Sequence, residues 1–420
     1  MMCRSSRIEK NVVTWCPEAA SNVARSVVFA IASLLAGAAA LAADPLLITS
    51  LDEPRFTPPK EQGRMTTVEG KIGNATQFAF DDNAKSAFFT SNLRGTPEWD
   101  QADGLSFWVK GNGTTQFGGL QLIYDDDYAL RYDVCFPIKG TEWTRIVIAW
   151  NDFIPVLPSP RAKPLGTREM PPGKVTAVWF GRWWYWGDYP ATTFAVDEIR
   201  LEPTIGRGEP IPRPQEPLGR VLKKLKAGEP ITIVTMGDSL TDTRHWANRQ
   251  VVWPTLLASQ LNAEFKSEVT IINPAIGGTQ LRQNLILMPR WLDKTPEPDL
   301  VTLFFGGNDW ESGMRGEEFT AACADAVARI RQATRGKSDV LLITTNPTAE
   351  KWQAMGELSV ACREAARAQG AGLADTEAAF HRAGQADRNR LYVDDRVHLS
   401  KAGHAVVAQA VLEALTAENK

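Results

Sequence analysis

From about residue 46 to residue 203, apolar and polar side chains alternate in short runs between turn signals. The run from Gly104 through Leu105, Ser106, Phe107, Trp108 and Val109 to Lys110 precedes a Gly-Asn-Gly turn, and residues 143–150 and 194–201 follow the same pattern. A period of two belongs to a strand with one buried face. Long amphipathic helical periods are absent here, so this half predicts an antiparallel β-sandwich.

Beyond residue 230 the pattern changes. Short apolar runs at 231–237, 269–273, 300–305, 340–345 and 371–375 alternate with helical periods at 253–265, 317–333, 351–369 and 402–417. Strands apolar on both faces belong to buried parallel sheets. The alternation predicts an α/β fold, a doubly wound parallel sheet with helices on both faces. Between the halves, residues 203–229 are rich in Pro, Gly and basic residues, which reads as a semi-rigid linker with a short helical piece at 218–226.

Residues 27–43 are apolar and small, Arg25 precedes them, and Ala40-Leu41-Ala42 offers the small-x-small pattern of a cleavage site. The run is short for a spanning helix. The expected organisation is therefore a signal peptide over 1–42, a β-sandwich over 44–203, a linker over 204–229 and an α/β domain over 230–420. The mature chain is expected to be exported, periplasmic or secreted, with no stable membrane anchor after cleavage.

Charge changes this picture little: 46 Lys and Arg face 49 Asp and Glu, which gives no basis for a nucleic-acid partner. Cys135, Cys323 and Cys362 follow the cleavage point, and an odd number leaves at least one free thiol. Cys323 and Cys362 are open to two readings, a pair or buried thiols. No Cys-x-x-Cys spacing suggests zinc, and no metal or organic cofactor is expected. The triplet Asp125-Asp126-Asp127 is either an oxygen-rich calcium site or a solvated turn. Aromatic residues are densest over 179–186, where Trp183, Trp184 and Trp186 are candidates to stack on a sugar. The alternative is that they fill the core or cover a seam between the halves.

Chemistry concentrates at the end of the 231–237 run, where Gly237 and Asp238 lead into Ser239. Ligands of open α/β sheets bind at the carboxyl ends of strands. A serine there needs a base, an orienting group and donors for an oxyanion. His398 lies in a polar loop ahead of the last helix, with Asp395 three residues earlier and Asp394 as its competitor. His404 follows Gly403 in or beside that helix and His381 reads as a surface helix residue, so His398 is left as the base. His245, a turn beyond Ser239, and Asp238 are candidates to line the substrate cleft. Gly278 and Asn308 stand on other strand-end loops, Gly278 able to bring its N–H close to a ligand and Asn308 carrying a side-chain amide.

Four blocks now stand in order: Gly237-Asp238-Ser239-Leu240, Gly278 within 273–278, Gly307-Asn308-Asp309, and Asp395-x-x-His398. Together they resemble the SGNH/GDSL hydrolase family over roughly residues 231–420. The resemblance implies a flavodoxin-like sheet, Ser239 as nucleophile, His398 as base and Asp395 as its partner. It also implies an oxyanion hole of the Ser239 N–H, the Gly278 N–H (with Gly277 competing) and the Asn308 amide. The first half resembles jelly-roll, galactose-binding-type sandwiches that often serve as carbohydrate-binding modules. That likeness rests on the Trp150-Asn151-Asp152-Phe153 stretch and the closing Val196-Asp197-Glu198-Ile199 strand.

The combined expectation is an exported serine esterase that removes acyl groups, acetyl foremost, from a carbohydrate. Its partners are an acylated carbohydrate or small ester, and a polysaccharide held by the first domain. Two alternatives stay open. A lipid or thioester substrate would suit an apolar groove formed by residues 285–292, and a carbohydrate-binding protein would carry an inert hydrolase half.

Overall fold

The computed structural model describes residues 44–206 and 208–417, and the expected signal segment lies outside them. Among the described residues, no helix is long and apolar enough to cross a membrane.

Eleven strands occupy the first half: β1 (Leu46–Thr49), β2 (Gly63–Glu69), β3 (Asn74–Phe80), β4 (Ala87–Phe89), β5 (Gly104–Lys110), β6 (Phe117–Tyr124), β7 (Asp127–Pro137), β8 (Thr144–Ala149), β9 (Ile154–Pro155), β10 (Val175–Arg182) and β11 (Thr192–Glu202). One antiparallel sheet runs β2-β3-β11-β5-β8, with β1 added along β11, and a second runs β4-β10-β6-β7-β9. The expected alternation is realised in β5, where Leu105, Phe107 and Val109 point into the core while Trp108 and Lys110 face outward. Phenylalanines fill the space between the sheets, with Phe78 stacked on Phe180 at a centroid distance of 5.1 Å.

The Asp125–Asp126 pair forms the β6–β7 hairpin turn, both residues at positive φ (56° and 53°), as a two-residue primed turn requires. Arg94 pairs with Asp126, and Arg161 pairs with Asp125 and Asp127. The triplet is thus a charge-paired turn, and among the described residues no group of three acidic, His or Cys side chains could hold a metal ion.

The second half contains five parallel strands: β12 (Ile231–Gly237), β13 (Val269–Ile272), β14 (Leu300–Phe304), β15 (Asp339–Ile343) and β16 (Gly372–Ala374). Their spatial order, β13-β12-β14-β15-β16, is the flavodoxin-like 2-1-3-4-5 arrangement. Nine helices accompany them among the described residues: α1 (Gly219–Lys226), α2 (Trp253–Phe265), α3 (Leu281–Ile286), α4 (Met288–Leu292), α5 (Gly307–Glu311), α6 (Gly316–Ala333), α7 (Gly356–Gln369), α8 (Thr376–Ala383) and α9 (Lys401–Thr416). α7 starts five residues later than its apolar period suggests, because the Thr348 hydroxyl accepts the Lys351 N–H in a separate turn. Cys135, Cys323 and Cys362 are all buried free thiols.

The halves share a core. Phe117, Cys135, Ile154, Trp183, Tyr185 and Trp186 pack with Leu281, Leu285, Ile286, Leu287 and Trp291. The apolar stretch 285–292 forms the end of α3 and all of α4, packs Leu285, Ile286, Leu287 and Trp291 against the sandwich, and with Leu287 and Trp291 lines a cavity of about 360 Å³. Trp183 and Trp186 are buried in this seam, Trp186 at the wall of the same cavity.

A buried carboxylate lies beside the seam. Asp133 accepts hydrogen bonds from the Tyr185 hydroxyl and from Gln121 Nε2 (2.5 Å), and burial pushes its pKa up to about 7 despite those donors. Because the folded pKa exceeds the unfolded one, ionisation costs stability as pH rises toward 7. Tyr185→Phe removes a donor from the ionised form, so it should destabilise the chain by about 1–3 kcal/mol at pH 8. The loss should shrink at pH 5, as urea unfolding at the two values will show; an equal loss at both would contradict this role for Asp133.

Candidate active site

Gly237 ends β12 where only a glycine fits, since a Cβ there would stand 2.3 Å from Thr241 Oγ1. The chain then turns through Asp238 and Ser239, with the Asp238 carbonyl accepting the N–H groups of Thr241 and Asp242. Asn248 fixes this turn from outside by donating to the carbonyls of Ser239 and Asp242, each at 2.7 Å.

The loop before α9 brings an imidazole to the serine. His398 Nε2 lies 3.0 Å from Ser239 Oγ, and its Nδ1 lies 2.6 Å from Asp395 Oδ2. The other Asp395 oxygen accepts the N–H groups of Val397 and His398, both at 2.9 Å, while Arg396 takes the left-handed conformation that this tight loop demands. Burial pushes the Asp395 pKa up, but the His398 ring and the two backbone donors outweigh it and hold the carboxyl below its ordinary value. An ionised Asp395 keeps the proton on Nδ1 and leaves the Nε2 lone pair facing the serine hydroxyl. Asp394 is exposed.

Three possible oxyanion donors converge on the same edge. Asp242 Oδ2 accepts the Gly277 N–H at 3.0 Å, and Arg244 clamps that carboxylate while reaching the Ala275 carbonyl. Gly277 is thereby committed. A Cβ on Gly277 would come within 3.6 Å of Ser239 Cβ, which places this loop directly beside Ser239. Gly278 follows at φ +79°, a conformation that favours glycine, and no backbone acceptor among the described residues takes its N–H or that of Ser239. Asn308 donates to the Thr279 carbonyl at 3.0 Å and, more weakly, to Asp238 Oδ2 at 3.3 Å. An incoming oxyanion would therefore compete with Asp238 for the second amide hydrogen. Burial is the main reason the Asp238 pKa rises to about 7, and the charge of Asp309 adds to it. Asp238 holds the turn through the Leu240 N–H and Asn308.

His245 stacks on His398 with ring centroids 4.2 Å apart. Burial and the neighbouring His398 ring lower its pKa, which favours the neutral ring. Sequence reasoning placed it at the cleft wall and missed this stacking. It also missed Asp242, Arg244 and Asn248, whose polar character in a turn after the nucleophile was the available signal, and Trp246, which meets His398 edge-on at 5.8 Å. Of the aromatic candidates from the first half, Trp184 is exposed.

His404 is buried and donates from Nε2 to Asn248 Oδ1 at 3.1 Å, while burial lowers its pKa to about 4. A His pKa below the ordinary 6.5 means that protons favour the unfolded chain, so stability falls as pH drops from 6.5 toward 4. Between pH 7 and pH 5 this group should cost on the order of 2 kcal/mol. His404→Gln cannot titrate, so urea unfolding of the variant should lose that much less over the interval; identical pH slopes would contradict the assignment.

Residues 235–406 match the model of the GDSL-like Lipase/Acylhydrolase family, and the C-terminal part of the chain is a GDSL-like hydrolase domain. Among solved structures, an α/β hydrolase from the metagenome of Lake Arreo, Spain, is 25% identical, spans 45% of this chain and 97% of its own, and superposes with a TM-score of 0.38. An acetylxylan esterase from Geobacillus stearothermophilus is 22% identical over 46% of this chain and 97% of its own, with a TM-score of 0.38. No curated protein matches the chain.

Proposed function

We propose that the chain is an exported serine esterase that removes short acyl groups, acetyl foremost, from a carbohydrate. The observation that carries the catalytic reading is the continuous link from Ser239 Oγ through His398 to Asp395, at 3.0 Å and 2.6 Å. Ser239 attacks the ester carbonyl while His398 Nε2 takes its proton. The imidazolium formed is stabilised by Asp395 and returns the proton to the leaving alcohol. Water, activated by the same imidazole, then releases the acyl group from Ser239.

Charge that develops on the carbonyl oxygen meets the N–H groups of Ser239 and Gly278 and the Asn308 amide. Moving the Asn308 hydrogen from a long bond to Asp238 onto a full oxyanion strengthens that contact only as the charge forms, which is what lowers a barrier. A lipid or thioester substrate is the second reading, favoured by the cavity of about 360 Å³ that Leu287, Trp291, Met236 and Ile276 line. The carbohydrate assignment rests on the aromatic-rich sandwich that is joined to the hydrolase domain. Export rests on the sequence of the first 42 residues.

Ser239→Ala should lower kcat on an acetyl ester by about three orders of magnitude or more without changing the unfolding midpoint greatly. A folded variant with near wild-type turnover would sink the mechanism. Asn308→Ala should cost about 10²–10³ in kcat with a small change in KM, as expected of a donor used mainly in the transition state. A loss confined to KM would place Asn308 in ground-state binding instead.

A further inference from the structure

Two tryptophans stand exposed beside Ser239. Trp184 is 46% exposed and Trp246 52% exposed. Trp184 belongs to the connector between β10 and β11, so it comes from the sandwich, yet its ring edge lies 4.0 Å from where a Cβ on Gly278 would stand. Trp246 lies on the nucleophile side of the hydrolase domain, edge-on to His398 and tilted against His245 at 5.5 Å. One ring therefore adjoins the glycine whose N–H is free, and the other adjoins the base.

The connector is held rigidly while the Trp184 ring stays in solvent. Tyr189 donates its hydroxyl proton to the Trp184 carbonyl, and Arg290 from α4 donates to the Trp186 carbonyl at 2.6 Å. Tyr185 anchors the same turn on buried Asp133. Gly187 at φ +77° sits against Ile276 of the loop that carries Gly278, and a Cβ there would come within 3.0 Å of that side chain. An indole on so fixed a backbone is a preorganised flat apolar surface, and its rigidity lowers the entropy lost on binding.

We propose that Trp184 and Trp246 form an aromatic rim that seats the pyranose ring of an acylated sugar, and that the sandwich acts by completing this rim. The proposal rests on the esterase reading of Ser239. The C–H-rich face of a pyranose covers an indole without needing a deep pocket. A long acyl chain needs a continuous groove, and the two larger cavities, of about 360 Å³ and 600 Å³, are lined without Ser239 or His398. The leaving alcohol must lie toward His398, which returns its proton, so the sugar ring enters between Trp246 beside the base and Trp184 beside Gly278.

The test compares wild type, Trp184→Ala and Trp246→Ala on acetylated methyl β-xylopyranoside and on ethyl acetate, which has no ring. Each substitution should lower the ratio of the two kcat/KM values by about tenfold, chiefly through KM for the pyranoside. Equal losses on the two esters would mean a structural role, and no loss on the pyranoside would mean no contact; either overturns the rim. In parallel, tryptophan fluorescence follows xylotetraose binding to Ser239→Ala. Binding that is absent, or that survives both tryptophan substitutions, also overturns it. A wild type inactive on both esters but binding xylotetraose through these rings would instead remove the esterase reading and keep the rim.

Discussion

One carboxamide ties the reactive turn to the helix that follows the base. Asn248 gives both amide hydrogens to carbonyls, those of Ser239 and Asp242, which leaves its oxygen only as an acceptor. His404 on α9 must therefore donate from Nε2, and its buried Nδ1 has no partner. A second proton on that ring would find no acceptor, which is why burial depresses its pKa so far. The same α9 is capped by Ser400, two residues after His398. Ser239 and His398 are thus held through one buried bridge as well as through their own contact.

The seam between the two halves does comparable work at the other end of the site. The sandwich buries Trp183, Tyr185 and Trp186 against α3 and α4, and that packing holds the 183–190 connector beside the glycine loop. Loop geometry there is set twice, by Asp242 and Arg244 from the hydrolase side and by Gly187 against Ile276 from the sandwich side. Such double restraint suits a site whose donors must be in place before charge develops.

The parallel sheet was readable from residues because each strand is apolar on both faces and each ends in polar or small residues. Asp395-x-x-His398 was readable as a partner for Ser239 by elimination among four histidines, although Asp242-x-x-His245 has the same spacing, and the fold brings His398 to 3.0 Å from Ser239 Oγ. The two-sided seam was not. Period-two alternation says that Trp183 and Trp184 face opposite ways, but it cannot say that another part of the chain covers one of them. The packing of 285–292 against the sandwich was hidden in the same manner, because its side chains meet a surface remote in sequence. Asn248 was hidden for the opposite reason: a polar residue in a loop looks ordinary until its carbonyl partners are brought to it by the fold.

The central claim is that Ser239 is the one serine activated by this arrangement. Peptide-mapped mass spectrometry after reaction with a fluorophosphonate measures that directly. The account predicts one label per chain, on Ser239, and its loss when His398 is replaced by alanine in a folded variant. Labelling of another residue, or labelling of Ser239 that does not depend on His398, would contradict it.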